Sequence, residues 1–238
     1  LPPIQSPAYG YRSRVRLGVD RDQQLSFRQQ GSDQLVAIRQ CPVVDPVLAP
    51  LIPPVQAWLD SLPPKSGVTH IELLAALDAD GQPASGAVIR HLKPLSAAAR
   101  RSLGQLAGLT DYWFQPEKQG ALQDVHAAAA DPRLYLQLPA TSASDNALPV
   151  TLGFHPQDFT QVNPQVNRAM VAQALKWLEL SAVDRVADLF CGMGNFTVPM
   201  AQQAGWVVGI EGVESMAERG HENSAHNGLT NCDFRALD

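Results

Sequence analysis

Four residues stand in a spacing that suits chemistry: Asp188, Gly192, Gly194 and Glu211. The stretch Arg185-Val-Ala-Asp-Leu-Phe190 reads as a buried strand. Gly192-Met-Gly194 follows it, and a helix is expected from there to about Gln203. A strand that runs into Gly-x-Gly and then a helix cradles a ligand. Glycines let the backbone approach the ligand, and the helix start offers free N–H groups to an anion. Trp206-Val-Val-Gly-Ile-Glu211 reads as the next strand, so Glu211 ends it 19 residues after Gly192. An acid there suits two ribose hydroxyls. Two ligand classes fit this geometry. A dinucleotide would place its pyrophosphate at the loop. An adenosyl-methionyl ligand would place its amino-acid end there. A nicotinamide enzyme wants a third small residue where this chain has Thr197, whereas an acid before the loop, here Asp188, suits the methionyl ligand.

Several elements must position these residues. Asn163-Pro164 is a helix start: Asn accepts from a free N–H, and Pro at the first helical position loses no bond. The helix is expected to run to about Leu180, with Val166, Met170, Ala174, Leu175 and Leu178 on one face. A second helix is expected over Ser215 to Asn227, and a third strand from Cys232. Strand, helix, strand, helix, strand implies parallel pairing with right-handed crossovers. The expected fold class is α/β: a Rossmann-like domain, truncated and with a parallel sheet, preceded by an α+β central domain. The boundary is placed at 150, giving residues 1–150 and 151–238. The first half reads as short strands at Arg14–Val19, Leu25–Arg28, Leu35–Arg39 and Tyr112–Gln115, with a hairpin around Asp78-Ala-Asp-Gly81. Helices are expected over Pro46 to Leu62 and Ser96 to Leu106, with Ser96 as N-cap. Ala127 to Pro149 is rich in Ala, Pro, Ser and Asp and reads as a loop.

Composition sets bounds. Hydrophobic content of 45% over 238 residues suffices to bury a core. No apolar run is long enough to span a membrane. Cys41, Cys191 and Cys232 are too far apart for a CxxC site or an even disulfide framework, so a reducing cytoplasm fits. The six histidines show no metal spacing, and no zinc site is expected. Net charge is −5, which weighs against nucleic acid, but its distribution is uneven. From Asp184 onward acids outnumber Lys and Arg eight to three, while Arg12, Arg14, Arg16, Arg21 and Arg28 gather near the start. Arg12, Arg14 and Arg16 alternate on a strand and are a candidate phosphate-binding stripe, with Tyr9 and Tyr11 placed to stack on bases.

The wording Asp188-Leu-Phe-Cys-Gly-Met-Gly-Asn-Phe196 is far more specific than a generic Gly-x-Gly, as is Phe159-Thr-Gln-Val-Asn163. Together with Tyr11-Arg-Ser-Arg-Val-Arg-Leu17, Gln40-Cys-Pro42 and Gly209-Ile-Glu-Gly-Val213, they make nearly the whole chain resemble the RNA uracil-5-methyltransferases, on the side of those acting on 23S ribosomal RNA. The resemblance implies S-adenosyl-L-methionine as cofactor and uridine C5 as methyl acceptor. It implies that Gln161 contacts the cofactor, that Phe190 and Asn195 line its methionyl side, that Glu211 holds the ribose, and that Asp238 lies near the adenine amino group. Read from the residues alone, Phe190 suits a core position equally well, and Asn195 suits a helix cap. The resemblance also makes Cys41 one ligand of an iron–sulfur cluster. Such a cluster takes four thiolates, which this chain cannot supply.

Uridine C5 is a weak nucleophile, so the family adds a cysteine thiolate to C6 and later removes the C5 proton with a base. Neither the Ser-Cys-Asn-Pro-like segment nor that base is found in this chain, so no catalytic residue is assigned and no turnover is expected of it alone. Cys191 lies in the cofactor loop, without an activating neighbour, and does not suit the nucleophile. The rivals are a transfer RNA uridine C5 methyltransferase, a nicotinamide-dependent oxidoreductase and a non-catalytic RNA-binding module. No protein partner and no membrane are inferred.

Overall fold

The computed structural model describes residues 3–117, 121–124, 133–140 and 149–237. The chain divides into two compact units: Pro7–Pro132, and Arg133–Asp238 together with Leu1–Ser6.

The first unit is a sheet with helices on one face. Its strands are β1 (Arg14–Val19), β2 (Leu25–Arg28), β3 (Leu35–Ala37), β4 (Val68–Leu77), β5 (Pro83–His91), β6 (Asp111–Pro116) and β7 (Gln123–Asp124), in the order β3-β2-β1-β4-β5-β6-β7. All neighbours pair antiparallel except β5 and β6. That parallel pair needs a crossover, and α2 (Ala97–Leu103) lies within it. Alternation makes one sheet face apolar: Val15, Leu17, Ile71, Leu73, Ala87, Ile89 and Phe114 are buried. Against them pack Val55, Trp58 and Leu59 of α1 (Ile52–Ser61). This helix starts later than the apolar spacing predicts. Pro50 falls in a 3-10 turn, Ala49–Leu51, and Pro53 and Pro54 are confined to the first helical turn, where their missing N–H groups cost nothing. Ser96 caps α2 by accepting from Ala99 N at 3.1 Å. Asp78 Oδ1 accepts from Asp80 N and Gln82 N and closes the β4–β5 hairpin.

The second unit holds the Gly-x-Gly segment. An antiparallel hairpin of β8 (Leu134–Leu138) and β9 (Val150–Phe154) precedes α3 (Pro164–Leu178). Then come β10 (Arg185–Leu189), α4 (Thr197–Ala201), β11 (Trp206–Glu211), α5 (Glu214–His226) and β12 (Cys232–Ala236). β10, β11 and β12 form a parallel sheet in that order, as strand–helix alternation predicts. Asn163 caps α3, accepting from Val166 N at 3.0 Å, and Pro164 opens it. α4 is shorter than expected: it ends at Ala201, and the chain turns through Gly205, where a Cβ would meet Ala182 O at 2.2 Å.

Two expectations shift here. The stretch read as a loop contains β8, whose Leu134 and Leu138 are buried. Its pairing with β9 puts it in the second unit, so the two units divide at 132 and 133, not at 150. The alanine, proline and serine content around β8 hides a strand of only five residues.

Candidate cofactor site

The site is built where β10 and β11 end. Leu189 and Ile210 are register partners, so the residues that follow them, Phe190 and Glu211, leave the sheet side by side. Cys191 N donates to Ile210 O at 3.0 Å and keeps the loop against β11. Gly192 then turns at φ +57° and Gly194 at φ +98°, conformations that side chains rarely adopt. Gly192 N donates to Glu211 Oε2 at 2.8 Å, and Val213 N donates to Glu211 Oε1 at 3.1 Å. Glu211 therefore braces both loops. A carboxylate offers about four lone-pair directions, so two remain for hydroxyl donors. A Cβ at Gly192 would meet only Met216 Cε, at 3.5 Å, so the glycine serves backbone conformation and ligand approach rather than packing.

Phe190 is 90% exposed and sits at φ +62°. A large aromatic in left-handed backbone costs on the order of 1–3 kcal/mol, and such outliers gather at ligand sites. The ring is not part of the core, so the core reading of that position does not hold. Asn195 does not cap α4: Phe196 is the cap residue, with no side-chain bond. Instead Asn195 and Asn167 exchange two amide hydrogen bonds, at 2.8 and 3.0 Å, and fasten the loop to α3.

Behind the loop the environment is drier. Thr197 Oγ1 donates to Asp188 Oδ2 at 2.6 Å. Burial still pushes the Asp188 carboxyl above its ordinary range, against the lowering effect of Thr197. Thr197 thus has a structural task at the position where a nicotinamide loop would want Gly or Ala. The Cys191 thiol is pushed up to about 12, first by burial and then by the charges of Asp188 and Glu211. A thiol so placed stays protonated and is a poor nucleophile. Burial also raises Cys232, which is half-buried at the start of β12.

Gln161 is exposed, on the connector between β9 and α3. That connector is fixed at both ends. Asp158 Oδ2 pairs with Arg219 of α5 at 2.5 Å, with both side chains buried, and Asn163 caps α3. The structure brings Phe190, Asn195 and Glu211 onto one loop system. Gln161 precedes α3, whose Asn167 holds Asn195 of the loop. Asp238 lies outside the described residues. Three contributors escaped the sequence reading: Asn167, Asn223 and the Asp158–Arg219 pair. Asn223 Nδ2 donates to Gly153 O and to Met193 O, and its Oδ1 accepts from Gly153 N at 2.7 Å, tying α5 to β9 and the loop. Buried Asn inside a helix is the signal that was available, because Asn is a poor helix former and its amide must find partners.

Cys41 lies in the first unit, half-buried against its hydrophobic core. Among the described residues no group of three or more His, Cys, Asp or Glu is placed to hold a metal ion. The residues present do not fit an iron–sulfur cluster.

Comparison with known proteins follows the same residues. A family profile described as tRNA (Uracil-5-)-methyltransferase matches residues 150–237. Proteins named 23S rRNA (uracil(1939)-C(5))-methyltransferase RlmD, from Salmonella choleraesuis and Salmonella typhimurium, are each 40% identical over 97% of this chain. The chain is similar to these uracil-5-methyltransferases along 97% of its length. It spans about half the length of these curated relatives, 51%. The crystal structure of Pyrococcus abyssi tRNA (uracil-54, C5)-methyltransferase in complex with S-adenosyl-L-homocysteine covers 98% of the chain, and the chain covers 56% of it, with a TM-score of 0.69 at 15% identity. That likeness shows a shared fold. Among the described residues, no helix is long and apolar enough to cross a membrane.

Proposed function

We propose that this chain provides the S-adenosyl-L-methionine site for methylation of uridine C5 in 23S ribosomal RNA. The bracing of Gly192 and Val213 by one carboxylate, Glu211, carries the reading. It leaves the outer lone pairs of that carboxylate for two ribose hydroxyls. The parallel β10–β11–β12 sheet is read as one half of a Rossmann-like sheet, with the ligand beyond the carboxyl ends of its strands. When bound, the cofactor supplies an electrophilic methyl group on a sulfonium. The residues of this chain bind and orient. Glu211 holds the ribose, Phe190 and Asn195 line the methionyl side, and Gln161 closes over from the connector. Asp238 is assigned to the adenine amino group. The nucleophile and base that uridine chemistry requires are assigned to no residue here, since Cys191 is held as the thiol.

Ribosomal RNA is favoured over transfer RNA by the 40% identity to 23S enzymes across nearly the whole chain. The three free cysteines suit a reducing cytoplasm. Nucleoside analysis tests the substrate. A strain lacking the gene is expected to lose 5-methyluridine from 23S ribosomal RNA and to keep it in transfer RNA. Loss from transfer RNA alone would overturn the assignment.

A further inference from the structure

The first unit's sheet has a second face, and its charge is not that of the chain as a whole. Arg14 and Arg16 of β1 point away from Val15 and Leu17, which are buried. Arg16 is the register partner of Glu72, and Gly18 of His70. His70 is in turn the partner of Arg90, and Arg90 of Gln115. On the other side, the antiparallel register of β1 and β2 pairs Gly18 with Ser26, and two residues further on it sets Arg28 beside Arg16. Arg28, Arg16, His70 and Arg90 therefore form a stripe across four adjacent strands, and Gln115, only 5% exposed, lies buried at its end. At about 4.8 Å per strand the stripe is about 14 Å long.

The proposed stripe of Arg12, Arg14 and Arg16 does not survive as a unit. Arg12 Nε donates to Arg14 O at 3.0 Å, and Arg14 pairs with Glu72 at 2.7 Å with only 13% of its side chain exposed. What that pairing does matters more. It consumes the one carboxylate within the stripe. Arg28 meets Asp33 at the sheet edge, where both side chains are exposed and such a pair is weak. Four arginines against two carboxylates leave an excess of positive charge. Among the described residues, Arg16 and Arg90 have no carboxylate partner within ion-pair distance; Arg90 Nε instead donates to Gln115 Oε1 at 3.0 Å. His70 feels the excess: burial lowers its pKa first, and Arg16, Arg90 and Arg28 each lower it further. A chain of net charge −5 that gathers guanidinium groups without carboxylate partners on one face favours an anion there.

We propose that this face binds the sugar–phosphate backbone of single-stranded RNA, gripped by Arg16, Arg28 and Arg90. The choice of RNA rests on the uridine-methylation reading. At about 3.4 Å per stacked nucleotide, the stripe matches about four nucleotides, and guanidinium forks bind phosphate oxygens in pairs.

The test is binding of a short single-stranded oligouridine by the full chain, followed across a salt series. Each phosphate contact on single-stranded nucleic acid contributes a slope of about 0.7 in log affinity against log salt. The combined variant Arg16→Gln, Arg28→Gln, Arg90→Gln is expected to lower the slope by about 2 and to weaken binding at least tenfold at low salt. Arg12→Gln is expected to leave the slope unchanged. Should the combined variant fold poorly, Arg16→Gln alone, at an exposed position, is expected to remove about 0.7. Adenosylhomocysteine affinity serves as the independent control and is expected to hold in every variant. An unchanged slope in the folded variants would overturn the surface. Preferential binding of polyglutamate, lost in the same variants, would assign the face to an acidic protein instead. Failure of the parent chain to bind adenosylhomocysteine would count against the cofactor reading, while the salt slope still decides, by itself, whether this face binds RNA.

Discussion

Asp188 and Glu211 are two carboxylates at the ends of neighbouring parallel strands, and their surroundings separate them. Glu211 is half-buried and engaged by two backbone N–H donors from the loops it would share with a ligand. Asp188 faces inward to Thr197, and burial raises its pKa. The folded state therefore holds a proton on Asp188 more tightly than the unfolded chain does. Stability contributed by that proton is full below the ordinary value of 3.8 and is lost as pH rises through the raised native value. Asp188→Asn keeps an acceptor for Thr197 and removes the titration. In urea denaturation at a series of pH values, the variant is expected to gain on the parent as pH rises above 3.8. A difference that stays flat with pH would show that the carboxyl is not desolvated. The same dry pocket explains Cys191. The sequence already disfavours Cys191 as a nucleophile, and its thiol is raised to about 12 by burial and by these two acids.

At the scale of elements, the parallel layer is locked by one ring. Phe234 of β12 is 4% exposed and lies where three glycines make room: Gly194 on the loop, Gly209 on β11 and Gly220 in α5. A Cβ at Gly220 would stand 2.2 Å from Phe234 Cδ1, and one at Gly209 would stand 2.9 Å from it. Alanine in a helix interior ordinarily gains about 1 kcal/mol over glycine. Here Gly220→Ala is expected to lose about 1–3 kcal/mol, because overpacking forces backbone and ring apart. Adding Phe234→Leu is expected to recover part of that loss in thermal denaturation. A Gly220→Ala protein as stable as the parent would refute the slot. The sequence showed that these elements exist but not this contact. Asn163-Pro164, Ser96 and the Asp78 hairpin were legible because capping and turn chemistry are local, and each is satisfied within four residues. The Phe234 slot, the Asn167–Asn195 pair and the Asn223 clasp join residues far apart in the chain. No local pattern records such partners; only glycine and asparagine in helix interiors hint at them.

For the whole molecule, the sequence carried the alternation of strands and helices after Asn163 and the parallel order that follows from it. It did not carry the hairpin of β8 and β9. Its strands are short, and β8 sits among Ala, Pro and Ser that read as loop. Placing the boundary at 150 instead of 132 follows from that single omission. The basic stripe shows the same division. The alternation of Arg12, Arg14 and Arg16 was visible, but which of them stays unneutralised depends on Glu72, brought in by strand pairing 58 residues away. The two units hold different charge and different chemistry, with the arginine face on one and the cofactor loop on the other. The central claim is that the second unit binds an adenosyl cofactor through Glu211, and calorimetric titration tests it directly. The protein is expected to bind one equivalent of adenosylhomocysteine and no NADH. Glu211→Ala is expected to weaken binding at least tenfold, as loss of charged hydrogen bonds worth about 1.5–3 kcal/mol requires. Binding of NADH, no binding of adenosylhomocysteine, or an affinity indifferent to Glu211→Ala would contradict the account.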